Sequence, residues 1–79
     1  MVSRREVNWE VKMFKLSYGT HLEQEVIGIY ETIDKAKAEM VRRLKNEGIE
    51  PRYYRQVGEN ENCFIDFGSW TYYYFIERV

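Results

Sequence analysis

Seventy-nine residues, thirteen acidic and twelve basic, with a net charge of −1, describe one small domain near the lower size limit for a self-standing core. The near balance of charge supplies no broad positive field for duplex DNA, and a single cysteine excludes an intrachain disulfide and a four-cysteine zinc site. No apolar run is long enough to span a bilayer or to serve as a signal-peptide core, so the cytoplasm is the expected compartment.

Residues Met1 to Asn8 hold Ser3-Arg4-Arg5-Glu6 and little apolar content, which reads as a mobile lead-in to the domain. Apolar residues then alternate, first on odd positions (Val7, Trp9, Val11, Met13) and afterwards on even ones (Phe14, Leu16, Tyr18). A period of two predicts a strand, and the change of phase predicts a bulge or bend at Met13-Phe14. Tyr18-Gly19-Thr20-His21 reads as a turn, and Leu22 to Glu31 as a second strand centred on Val26, Ile27, Ile29 and Tyr30.

The helix has the fullest set of signals. Thr32 suits the N-cap, and Asp34 puts a negative charge near the free N–H groups of the first turn. Ile33, Ala36, Met40 and Leu44 form an apolar stripe at helical spacing, with Val41 at its edge. Gly48 suits the residue after the C-cap, with Ile49 folding back on Leu44, and Pro51 blocks any continuation. Lys37 falls inside the apolar arc, where its stem must lie along the core and its ammonium reach out.

After the helix, Arg52 to Val57 reads as a short strand and Gly58 to Glu61 as a turn. The last seventeen residues, Cys63 to Val79, carry seven of the thirteen aromatic residues. Gly68-Ser69 between two aromatic runs suits a two-residue turn with glycine first. That turn would place Phe67 opposite Trp70, Ile65 opposite Tyr72 and Cys63 opposite Tyr74, all on a core face extended by Ile76. The other face would hold Asp66 across from Thr71, Phe64 across from Tyr73 and Asn62 across from Phe75. The elements in order are β-β-α-β-β-β: an α+β fold with a single antiparallel sheet and one helix packed on one face.

One helix covers only part of a five-stranded sheet, so the second face of the final strands is the candidate site. Phe64, Tyr73 and Phe75 with Asp66, Thr71 and Glu77 around them make an aromatic patch with a polar rim, as protein-binding surfaces do. Ordinary cross-strand ring pairing would also account for them, and so would a homodimer interface. Aromatic strands also stack nucleic-acid bases. Arg52, Tyr53, Tyr54 and Arg55 fit that alternative better, because the acids around Phe64 and Tyr73 oppose a phosphate track.

Chemistry has little to stand on. His21 is alone in a turn, with no metal partners placed beside it by sequence. Ser69 lacks the nucleophile elbow of a hydrolase, Cys63 faces the core where a thiol is inert, and the five glycines form no phosphate cradle. Lys35, Glu39, Arg42, Arg43 and Lys45 read as a solvated helix face with i,i+4 pairs. No catalytic residue, metal or cofactor is expected, and the chain reads as a binder, not an enzyme.

Three runs together, Phe14-Lys-Leu-Ser-Tyr-Gly-Thr-His21, Ile27-Gly-Ile-Tyr30 and Ile65-Asp-Phe-Gly-Ser69, resemble small uncharacterised proteins encoded by phages and prophages of Gram-positive bacteria. The resemblance extends from about Met13 to the C-terminus. Residues 1–12 depart from it, as an added strand or the product of an upstream start. The resemblance implies a stoichiometric inhibitor of host or defence machinery, of the anti-CRISPR type for example, acting in the host cytoplasm. It carries no site residues with it.

Overall fold

The computed structural model describes residues 12–79. The lead-in and the expected strand positions Val7, Trp9 and Val11 lie outside the described residues. Five strands and a helix follow: β1 (Phe14–Gly19), β2 (Gln24–Tyr30), α1 (Ile33–Asn46), β3 (Arg55–Glu59), β4 (Asn62–Asp66) and β5 (Tyr73–Arg78). The strands form one antiparallel sheet in the order β2-β1-β5-β4-β3. The expected α+β class, element order and one-sided helix are all present.

Alternation in β1 builds the core. Phe14 and Leu16 point to the helix side and are buried, while Lys15 and Ser17 point the other way. Cys63, Ile65, Phe67, Tyr74 and Ile76 join them from β4, its extension and β5, and Ala36, Met40 and Leu44 arrive from the helix. Each fully buried Leu or Ile contributes about 1.5–3 kcal/mol relative to exposure. Ile27, Tyr30, Ile33 and Tyr18 close the rim. The helix lies over β1, β2 and β5, so the opposite face of the whole sheet has no covering layer among the described residues.

Both ends of α1 are fixed as expected. The Thr32 hydroxyl accepts from the Lys35 N–H at 3.1 Å. At the other end Ile49 N–H donates to the Leu44 carbonyl and Gly48 N–H to the Lys45 carbonyl, the double bond of a Schellman closure. Gly48 has φ +74 there, a conformation that a side chain disfavours. Lys37 is half-buried, and its ammonium reaches the Gln56 side-chain oxygen on β3 at 2.9 Å.

The irregularity expected at Met13-Phe14 is elsewhere. The Met13 carbonyl accepts from Val79 N–H, which continues the β1–β5 register unbroken. The slip occurs between β1 and β2, where Leu16 pairs with Gly28 but Ser17 with Val26. Ile27 is therefore the extra residue of a bulge in β2, and it packs against the core. The turn before it is stitched by Thr20, whose hydroxyl accepts from Leu22 and Glu23 N–H and whose own N–H donates to the Glu23 carbonyl. Gly19 permits this closure, since a Cβ there would sit 2.2 Å from the Glu23 carbonyl oxygen.

The final hairpin corrects the expected turn. Ile65 pairs with Tyr74 and Cys63 with Ile76, a register two residues further along β5 than a two-residue Gly68-Ser69 turn gives. The connection spans residues 67–72 and is closed by side chains. Asp66 Oδ1 accepts from Gly68 N–H at 2.9 Å, and the Ser69 hydroxyl accepts from Tyr72 N–H at 3.2 Å. A slip of two residues preserves the faces, so Phe67, Tyr74 and Ile76 remain core. Trp70 and Tyr72 leave it: they are 95% and 45% exposed, because the longer loop carries them past the end of the sheet. β3 also starts three residues later than expected, at Arg55, and Gly58 belongs to the strand.

Candidate functional site

The open face of the sheet is built from the residues that alternate away from the core. β5 presents Tyr73, Phe75 and Glu77, and β4 presents Asn62, Phe64 and Asp66. Of the six residues expected to bind protein, Phe64, Asp66, Tyr73, Phe75 and Glu77 share this face. Thr71 does not: it lies in the connection between β4 and β5, exposed and outside either strand.

A fourth ring completes the cluster. His21 lies 4.7 Å from Tyr73, 4.8 Å from Phe64 and 5.6 Å from Phe75, centroid to centroid. The other three rings are 5.1–6.2 Å apart, so every pair among the four is in aromatic contact. The edge-on geometry of His21 against Phe64 and Phe75 sets ring edge against ring face, the favourable arrangement of aromatic quadrupoles. Phe75 is buried, Phe64 and Tyr73 are half-buried, and His21 is exposed. Alternation identified Phe64, Tyr73 and Phe75, but nothing local identifies His21. Its position follows from the pairing of Gly19 with Tyr73, which lets a residue two places beyond β1 lie over the end of β5.

The acids at the site are already matched. Glu77 pairs across the ladder with Lys15 at 3.1 Å, and Asp66 with Arg55 at 3.3 Å. Lys15 and Arg55 each sit beside a carboxylate, and the rings lie between these two ion pairs. Val26, Ile29 and Val57 extend the apolar area towards the edges of the sheet and are partly exposed. The result is an apolar, near-neutral surface with a polar rim.

The alternative nucleic-acid tract is divided. Arg52 and Tyr53 line a cleft of about 500 Å³ with Tyr18, Pro51, Phe67 and Ser69, at the end of the sheet. Arg55 is instead on the open face, bonded to Asp66. Tyr54 lies between them and is half-exposed, as is Tyr53. Beside the cleft, Tyr72 stacks on Tyr18 at 5.5 Å with the ring planes 11° apart.

Titrating groups in the interior are few. Burial raises the Tyr74 phenol above its ordinary value, opposed by the nearby Arg43 guanidinium. The Cys63 thiol is also pushed up by burial. Among the described residues no three His, Cys, Asp or Glu side chains come together as a metal site, and no helix is long and apolar enough to cross a membrane. Comparison of the chain with protein-family models, curated proteins and solved structures gave no match.

Proposed function

We propose that the chain is a non-enzymatic protein-binding module that engages its partner with the His21, Phe64, Tyr73 and Phe75 cluster. One observation supports this most directly: four mutually packed rings lie on the sheet face that no described element covers, and the cations beside them are bonded to carboxylates. A phosphate backbone needs free cations, whereas a protein patch with an apolar centre and polar rim needs none. The resemblance to phage proteins supports the narrower reading of a stoichiometric inhibitor of host or defence machinery, working in the host cytoplasm.

Capture from host lysate with wild type, His21→Ala and Phe64→Ala/Tyr73→Ala tests the surface, with circular dichroism to confirm the fold. A prey retained by wild type and lost by both variants supports the reading; equal capture by folded variants removes the surface. Single-stranded nucleic acid is the second reading, favoured by the cleft that Arg52 and Tyr53 share with two further aromatic residues. A fluorescence titration with mixed-sequence oligonucleotides at two salt concentrations decides it, since phosphate contacts weaken as salt rises.

A further inference from the structure

β3 is a sheet edge, and all five of its residues are exposed. The direction of its free backbone groups follows from the ladder beside it. Arg78 N–H donates to the Glu61 carbonyl at 2.8 Å, so odd-numbered residues of β4 exchange bonds with β5 and even-numbered ones turn to β3. Their partners Arg55, Val57 and Glu59 therefore direct their backbone groups to β4. Gln56 and Gly58 face outward.

That phase meets an unusual sequence, Arg55-Gln56-Val57-Gly58-Glu59. Turned about a two-fold axis at Val57, the strand meets itself with Arg55 opposite Glu59 of the second copy, Val57 opposite Val57, and Gln56 opposite Gly58. The outward groups of Gln56 and Gly58 then fall into the hydrogen-bonded pairs of a new antiparallel ladder. Arg55, Val57 and Glu59 fall into the non-bonded pairs, whose Cα atoms approach to about 4.5 Å and whose side chains meet most closely. Phase, charge and size agree in this one register. Gly58 has no side chain to obstruct Gln56, and Arg55 retains donors beyond the one given to Asp66. Among the described residues Glu59 has no ion-pair partner of its own.

We infer that the β3 edge is a self-recognition strand, and that a second copy of this chain pairs antiparallel with it through two Arg55–Glu59 ion pairs. The opposite edge carries a bulge at Ile27, a feature that disfavours edge-to-edge pairing. Pairing joins the two five-stranded sheets into one and sets both aromatic clusters on the same continuous face. The edge strand lies beside those rings, with Val57 opposite Phe64. Its pairing uses backbone groups and the Arg55–Glu59 ion pairs, not the rings, so loss of the dimer and loss of the proposed partner surface are read separately.

Sedimentation velocity of the full chain over a dilution series into the millimolar range is the test. The expected result for wild type is a mass rising from 9.7 kDa towards twice that value. Glu59→Arg raises the dissociation constant at least about tenfold, Glu59→Gln raises it less, and added salt weakens the wild type. Val57→Lys, which sets two ammonium groups on the two-fold axis, gives monomer. Phe64→Ala/Tyr73→Ala leaves the dimer intact. A wild type that stays monomeric throughout overturns the inference. So does a dimer that Glu59→Arg and Val57→Lys fail to weaken, or one abolished by the ring substitutions alone.

Discussion

The His21 imidazole stands edge-on to the Phe64 ring, 4.8 Å from centroid to centroid, and so ties the β1–β2 turn to a strand two places away in the sheet. The contact is between a turn residue and β4, which β1 does not touch directly. Removing it leaves the ladders intact. His21→Ala should therefore cost about 1 kcal/mol, the usual worth of an aromatic pair, read as a lower urea midpoint with unchanged slope.

The core and the β4–β5 loop should respond in opposite ways. Leu16 is fully buried beneath the helix, and Leu16→Ala should cost about 2–5 kcal/mol through lost burial and the cavity left behind. Trp70→Ser, at a position 95% exposed, should stay within about 0.5 kcal/mol of wild type. Thermal melts of the two variants check both.

The N-cap of α1 gives an intermediate case. Thr32→Ala removes the acceptor for Lys35 N–H and should cost about 1 kcal/mol. Thr32→Asp should retain most of the stability, because a carboxylate also accepts there and suits the helix dipole. Chemical denaturation of the pair distinguishes a cap from a merely tolerated threonine.

Alkaline pH should destabilise the protein through one buried and two half-buried phenols. Burial raises Tyr74, Tyr18 and Tyr30 above the ordinary tyrosine value, so the fold favours their neutral forms. That contribution is complete below the unfolded value of about 10 and is lost as pH rises through the folded values. Stability measured from pH 8 upward should fall beyond about pH 10. Tyr74→Phe should make that fall shallower, because it removes the hydroxyl of the most buried of the three tyrosines.

Cys63 should report global opening. Its side chain is buried and its thiol is raised by desolvation, so little thiolate is available at neutral pH. Reaction with a chromogenic disulfide should be slow in the native protein and fast in denaturant. Rapid labelling under native conditions would show that β4 opens on its own.

Much of this architecture is legible in the sequence because its strongest signals are local. Thr32, Gly48 and the Ala36-Met40-Leu44 stripe specify the helix whatever surrounds it. The two faces of β4 and β5 were also readable, since a period of two survives a slip of two residues. The slip itself was not. Gly68-Ser69 offers good turn chemistry, but Asp66 and Ser69 capture nearby N–H groups and close a longer loop. That outcome depends on Tyr74, not Tyr72, filling the space beside Phe67. His21 was hidden for a related reason: its place among the rings requires β1 to lie beside β5, a pairing across most of the chain.

The same pairing governs when the growing chain can fold. β1 with β2 and β3 with β4 are local hairpins, yet the sheet joins them only through β5, which pairs with β1 on one side and β4 on the other. Until residues 73–78 have been synthesised, a growing chain holds two unjoined hairpins and a helix with an incomplete platform. Tyr74 and Ile76, two of the most buried side chains, follow every other residue of the core cluster in the chain. Cooperative folding therefore awaits the C-terminal strand, and nascent chains halted before it should remain sensitive to protease throughout their length.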